Sequence, residues 1–582
     1  MSDTASAPVR DTSFFGHPRG LAILFFTEMW ERFSYYGMRG LLVLYLTQHF
    51  LFSDEASSIM YGAYTALVYV MTIVGGTLAD RYLGQRKAVT FGAILLCLGH
   101  FGMAFEGSGS KEFVVTDAAE FELVYAGRGD HRKLYATYEG AERRITFTAD
   151  GGMALLDSAD TADEPTAAVY AVLPAGSYTT RVEQQKLYTH ILYLSLALII
   201  AGVGYLKANI STIVGTLYDF DDPRRDAGFS LFYMGINLGS LLSSVTCGII
   251  GIAWGWAYGF GLAGIGMLAG LIVFVWGQKY LDGAAEPPNP DVLKKPFLGP
   301  INVEMACYLA GLGIIAVAMA LVMNAELIPE GFVGGLGIAL FVWLVGYAFV
   351  KLSDTERKRM FAAIYFVLAQ IPFWALFEQA GSSLTLFTDR LVDKTILGWN
   401  VPTPVFQSLN AGYIVIFAPL FAWMWMALAK RNLEPSTPVK FAIGVFLAGL
   451  GFLSLVGGMA GSAGMTAVIF IFLIYWVHTM GELMVSPVGL SAVTKMAPAR
   501  VVGMTMGAWF LYSGLSNYLA GVIARTTGAE TIGGQITNVA AAKATYASVY
   551  TNVALVAMAI GVGMLLISPI IKSWMETDAR EL

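Results

Sequence analysis

Charged residues are scarce. They make up 13% of the 582-residue chain, against about 25% in a typical soluble domain. Cysteine is nearly missing as well. Cys97, Cys247 and Cys307 lie in apolar runs, at spacings that suit neither a CxxC metal site nor a disulfide framework, so they read as small buried hydrophobes. The sequence holds no metal cluster, no Ser-His-Asp set and no nucleotide-binding loop, which argues against an enzyme. No basic patch marks a nucleic-acid surface. The net charge of −6 matters less than where the charges fall. Residues 1–19 are polar and lead into an apolar run with four charges and no cleavage site. The first span is therefore expected to stay in place rather than leave as a signal peptide.

What the chain has in abundance is apolar length. Hydrophobic residues reach 56% and the mean hydropathy is +0.61, which fits a polytopic membrane protein. Apolar runs predict spans near 20–50, 57–80, 87–106, 188–217, 228–251, 254–280, 301–324, 330–351, 361–384, 405–429, 438–459, 464–486, 501–524 and 545–571. If the N-terminus is cytoplasmic, the inside loops collect Lys and Arg from Arg81, Arg86 and Lys87 through to Lys495, Arg500 and Lys572. The outside loops hold little beyond Arg390, Lys394, Arg525 and Lys543. This asymmetry orients the chain with both termini inside.

One stretch breaks the pattern. Residues 107–186 are polar, with β-like alternation in "EFELVYAG", "KLYATYEG" and "RRITFTADGG" between Gly and Asp clusters. They read as a small β-rich insertion on the outside face, the alternative being a long, partly ordered loop. Residues 301–351 form an apolar pair of runs, expected as a helical hairpin between a first six-helix bundle, 20–280, and a second, 361–572.

The first run carries Glu28, Glu31, Arg32 and Arg39, although a charge at a bilayer centre costs about 2.5–3.5 kcal/mol. At 100° per residue these four, with Tyr35 and Tyr36, share one face about 140° wide. That face must look into the protein or a wet cavity. It is either a structural ion-pair network or a functional site, and intramembrane ionisable groups are functional candidates by default. Lys207 in "GVGYLKANIS" and Glu482 in "HTMGELMVSP" are isolated charges in apolar runs of opposite halves, able to pair with each other. Gly202 and Gly204 would allow close helix approach beside Lys207, and the Ser-Pro pair after Glu482 can loosen its helix. His478 reads as packed and neutral. Trp374, Glu378, Gln379, Asn410, Trp509 and Ser513 add polar and aromatic candidates, with packing as the plainer reading of each aromatic.

At this point the residues resemble a known family. "EMWERFSYY" resembles the ExxER signature of the proton-coupled oligopeptide transporters, a branch of the major facilitator superfamily. "GGTLADRYLGQRKAV" is similar to the facilitator loop between spans two and three, and "FSLFYMGINLGSL" to the family's second signature. The resemblance implies an all-α polytopic membrane protein of the major facilitator fold, with two six-helix bundles, a two-helix hairpin and the β-rich insertion between spans three and four. It implies a symporter that imports di- and tripeptides with protons by alternating access, as a functional monomer in the bacterial inner membrane, with no metal and no cofactor beyond the coupling proton.

Carried over residue by residue, the likeness ties Glu28, Glu31 and Arg32, with Lys207 as their neighbour, to proton coupling, and Glu482, as a buried carboxylate that can pair with a cation, is a further candidate proton carrier. Arg32, Arg39 and Lys207 would meet the peptide carboxylate, and Glu482, Asn237 and Asn410 the amino group. Tyr36, Tyr69, Trp374, Trp509 and Ser513 would line the substrate site, and Arg39 with Glu378 would form an outer gate. Animal members carry a histidine in span two, and this span has none, so carboxylates must take the proton. The runner-up is a proton-coupled carrier of another small solute such as nitrate or a peptide-like drug. Lys207 together with Glu482 favours a zwitterion.

Overall fold

The computed structural model describes residues 14–127, 132–157, 167–219, 222, 224–281, 283, 285–327, 330–462, 464–498 and 501–576. His131 of the insertion, Arg500 of the basic loops and the chain ends 1–13 and 577–582 lie outside the described residues.

Fourteen long helices occupy the described chain. The first bundle contributes α1 (Arg19–Gln48), α2 (Asp54–Leu78), α3 (Gln85–Met103), α4 (Lys186–Thr216), α5 (Arg225–Trp254) and α6 (Trp256–Gly277). The hairpin is α7 (Val303–Met323) and α8 (Glu330–Lys351). The second bundle is α9 (Asp354–Phe377), α10 (Ser408–Ala429), α11 (Thr437–Ala460), α12 (Ile469–Met496), α13 (Val502–Arg525) and α14 (Val539–Met575). Among the described residues eleven helices are long and apolar enough to cross a membrane. α1 is not one of them, because its charges break every apolar window. A helix satisfies its own backbone groups, which is what a chain crossing lipid requires. The starts are fixed by side chains: the Ser53 hydroxyl caps α2 at Ala56 N–H, 3.1 Å away, and Ser353 with Glu356 forms a capping box on α9.

Small residues let the helices approach. Gly204 lies against the Met71 backbone and Gly202 against the backbone of Gly92, as the glycines beside Lys207 suggested. The hairpin divides its packing. Tyr205 of α4 donates to the Cys307 carbonyl of α7 at 2.9 Å, and Tyr512 of α13 to the Gly337 carbonyl of α8 at 2.7 Å. One hairpin helix therefore rides on each half.

Between α3 and α4 stands a seven-stranded antiparallel sheet. Its strands are β1 (Lys111–Thr116), β2 (Glu120–Ala126), β3 (Lys133–Tyr138), β4 (Ala141–Phe147), β5 (Met153–Leu156), β6 (Val169–Leu173) and β7 (Tyr178–Glu183), in spatial order β6-β5-β4-β3-β2-β1-β7. Phe121 and Leu123, then Leu134 and Ala136, are buried in alternation, the period-two signature of a one-sided sheet. The sheet is not self-contained. Ile532, from the short hairpin Thr531–Ile536 between α13 and α14, completes its core. Local alternation could not show this, because the hairpin lies in the other half of the chain.

Glu112 of β1 is buried at this junction, where its carboxylate accepts from Tyr125 O–H and Gly533 N–H, both at 2.7 Å. Burial raises its pKa, outweighing the lowering by Tyr125, the Gly533 amide, the Arg132 charge and Thr180. A carboxyl whose folded pKa is raised contributes most where it is protonated, and that contribution is lost as pH climbs through the raised value. The expected result is that the wild-type Tm, measured against Glu112→Gln, falls as pH rises from the ordinary carboxylate range. A difference that stays flat or grows with pH contradicts the burial argument.

The two bundles meet at the end that carries the sheet. There α2 packs on α13 and α5 on α10. A Cβ on Gly62 would sit 2.8 Å from Gly521 Cα, so only glycines allow that crossing. Arg390 holds Asp54 bidentately at 2.6 and 2.9 Å, and Gln48 donates to Asp389 at 2.9 Å.

Candidate functional site

The charged face of α1 points into the protein. Glu28, Glu31 and Arg32 are 1%, 0% and 5% exposed, so the stripe is buried rather than turned to lipid. Arg32 Nε lies 2.7 Å from Glu28 Oε1 and 3.0 Å from Glu31 Oε2. The pair with Glu28 is a hydrogen bond, whereas neither Glu31 oxygen accepts one. Burying a carboxylate without hydrogen bonds is costly. Of the cluster's two acids, Glu31 is thus the one whose charge is held by ion pairing alone.

Two helical turns along, Arg39 forms an ion pair with Glu378, which sits in the tight turn Glu378–Gly381 closing α9. Arg39 Nε also donates to Tyr61 O–H of α2 at 2.5 Å. This ion pair crosses from one bundle to the other, as the family resemblance implied. Tyr36 and Arg39 line a cavity of about 50 Å³ with Glu378, Gln407, Asn410 and Tyr475.

Lys207 and Glu482 do not pair in this structure. Lys207 Nζ stands 4.0 Å over the Tyr69 ring, a cation–π contact, and lies in the field of Arg32, Glu31, Glu28 and Glu378. Glu482 Oε2 accepts from Asn410 Nδ2 at 2.7 Å, and Asn410 also reaches Thr479 at 3.1 Å. The expectation of a direct pair needs this correction. The physical reason is that Lys207 is met by the Tyr69 ring and the α1 carboxylates, and Glu482 by the Asn410 amide, so neither depends on the other for a partner. Nor does the Ser-Pro pair break α12: the helix runs through Pro487 to Met496. His478 is packed between Phe377 and Phe452, with its ring nitrogen 3.0 Å from the Ala448 carbonyl.

The remaining candidates divide. Asn237 bonds back to Tyr233 O at 3.1 Å, and Tyr233 feels the charge of Glu482. Trp374 joins Phe373 and Phe377 in an aromatic cluster. Trp509 is 7% exposed. Its carbonyl receives Gln370 at 3.1 Å and Ser513 at 2.9 Å, so in this conformation Trp509 and Ser513 serve the packing of α9 on α13. The sequence reading missed Tyr61, Thr479 and Gln370. Thr479 lies three residues before Glu482 on one helix face and could have been found by that spacing. Tyr61 has no such signal among its neighbouring tyrosines. Among the described residues no group of three or more His, Cys, Asp or Glu gathers as a metal site.

Two helical bundles that enclose buried charges of both signs define a membrane transporter of the major facilitator architecture rather than an enzyme. Comparison with known proteins gives the family. The model of the POT family matches residues 86–540, and the chain belongs to that family. It is 34% identical to an uncharacterized transporter, YclF, of Bacillus subtilis (strain 168), over 98% of this chain and 97% of that protein. It is 32% identical to the peptide transporter YePEPT of Yersinia enterocolitica subsp. palearctica serotype O:3 (strain YE-P4), over 88% of each. A solved structure of a peptide transporter POT variant in complex with alafosfalin superposes with a TM-score of 0.73 at 32% identity, covering 98% of each chain.

Proposed function

We propose that this chain imports di- and tripeptides together with protons, working as a monomer in a bacterial inner membrane with both termini in the cytoplasm. The observation that carries the reading is charge separation inside one membrane core. Arg32, Lys207 and Arg39 form a cationic pole in the first bundle, and Glu482 on Asn410 forms an anionic one in the second. A zwitterionic peptide presents both complements at once, a carboxylate to the arginines and lysine and an ammonium to Glu482. Related proteins described as peptide transporters support the same class.

Coupling follows from the shared partners. Protonation of Glu31 removes one counter-charge from Arg32 and Lys207, which frees them for the peptide carboxylate. The Arg39–Glu378 pair closes the insertion side while the opposite side exchanges substrate, so binding and gating draw on one set of charges. The face bearing the sheet is the extracytoplasmic one in this reading, in line with the Lys/Arg asymmetry.

Uptake of labelled di- and tripeptides into proteoliposomes, with and without an inward proton gradient, tests the proposal. Accumulation above the external concentration is expected only with the gradient, and unlabelled dipeptide should compete while nitrate should not. Gradient-independent equilibration, or competition by nitrate alone, would overturn it.

A further inference from the structure

The sheet is built into the first bundle yet grips the second. Its chain enters from α3 and leaves into α4. Its base is pinned to the end of α1 by Ser110 N–H on the His49 carbonyl, 2.9 Å, and by the His49 ring on the Glu106 carbonyl, 2.9 Å. On the other side it holds the turn between α13 and α14. Ile532 sits in the apolar core with Val114, Leu123, Leu134 and Ile145.

Gly533 and Gly534 adopt φ of 61° and 75°, a conformation open to glycine. A Cβ on Gly533 would lie 2.8 Å from Leu134 Cδ2 and would also strike the Tyr125 ring. The turn is therefore fitted into a socket. Gln535 Nε2 donates to the Arg132 carbonyl at 2.7 Å, and the Arg132 guanidinium donates to the Gln48 carbonyl of α1 at 2.6 Å while lying 4.5 Å over the Tyr125 ring. One residue of the insertion thus touches both halves of the molecule.

We propose that the β-sheet insertion is a strap that holds this face of the transporter shut. Opening the face means parting α2 from α13, and the turn 531–536 must then leave its socket. That withdraws Ile532 from an apolar core and strips Glu112 of the Gly533 amide. Losses of this kind shift a two-state balance by about tenfold to a hundredfold. The strap acts on the conformational equilibrium, so its test needs no substrate and does not depend on which solute is carried.

Spin labels on cysteines introduced at the exposed positions Trp254 and Met465 report the separation of the two bundles at this face; the three native cysteines are buried. Ile532→Asp is expected to raise the long-distance population at least tenfold over the wild type. An unchanged distance distribution in a monodisperse variant overturns the proposal. Should Ile532→Asp fail to fold, the cysteine pair Arg132→Cys with Gln535→Cys tests the strap from the other side, in a protein carrying fluorophores in place of the spin labels. Oxidation should abolish the long-distance population and reduction should restore it. Opening that persists in the fully cross-linked protein also overturns the proposal.

Discussion

Glu31→Gln is expected to abolish gradient-driven accumulation of labelled dipeptide while leaving counterflow exchange within about twofold of wild type. The two acids of α1 sit in different environments. Glu28 accepts a hydrogen bond from Arg32, whereas Glu31 is fully buried and accepts none, held only by ion pairing and by the fields of Arg32 and Lys207. A neutral amide copies the shape of a protonated carboxyl but cannot lose the proton. The variant is therefore fixed in the form that releases Arg32 and Lys207 to bind peptide. Exchange needs only binding and reorientation, so it survives, whereas net movement against a gradient needs the proton to leave. Two measurements on the same proteoliposomes separate these outcomes: uptake under an imposed pH gradient, and exchange with preloaded unlabelled peptide. Unchanged accumulation would show that the proton travels elsewhere. Loss of both would point to a structural role, since removing one member of a buried ion cluster leaves the others uncompensated.

Much of this site was legible because it violates its surroundings. Glu28, Glu31, Arg32 and Arg39 stand out against an apolar run, and their spacing puts them on one face without any knowledge of neighbours. The helices were legible for the same kind of reason, since apolar length is a local property, and alternation marked the insertion as β-rich, although β1 and the fully buried β5 carried no such signal. What local pattern did not supply was which distant groups meet, and the Arg39–Glu378 pair was expected from the family resemblance alone. Lys207 and Glu482 each lacked a partner on their own helix, which made a mutual pair the economical guess. The fold instead offers Tyr69 to one and Asn410 to the other. Ile532 reads in sequence as one apolar residue in a Gly-rich turn, and nothing local ties it to the core of a sheet formed from residues 111–183. Tyr61 is one tyrosine among several in α2 until Arg39 is placed beside it. In each case the missing information is tertiary, and local sequence pattern does not display it.

Glu482→Gln is expected to remove the preference for a free amino terminus. Glu482 lies on α12 with one oxygen 2.7 Å from Asn410, and it is a buried carboxylate of the second bundle. A hydrogen bond between charged groups contributes about 1.5–3 kcal/mol, so a dipeptide should outcompete its N-acetylated twin by roughly 10- to 150-fold in wild type. The amide keeps the contact with Asn410 and the volume of the side chain, but it offers an ammonium only a dipole. The ratio of the two inhibition constants should therefore fall toward one, mainly through weaker binding of the free dipeptide. Because Lys207 draws on its own bundle rather than on Glu482, this variant leaves no stranded cation, and the protein should fold and insert normally. That separates the present geometry from a direct Lys207–Glu482 pair, in which Glu482→Gln would destabilise the empty transporter. Inhibition of labelled dipeptide uptake by both compounds, alongside Tm for wild type and variant, decides the matter. A ratio that is the same in the two proteins places the amino-group contact on another residue, and a Tm lowered by more than a few degrees restores the pair.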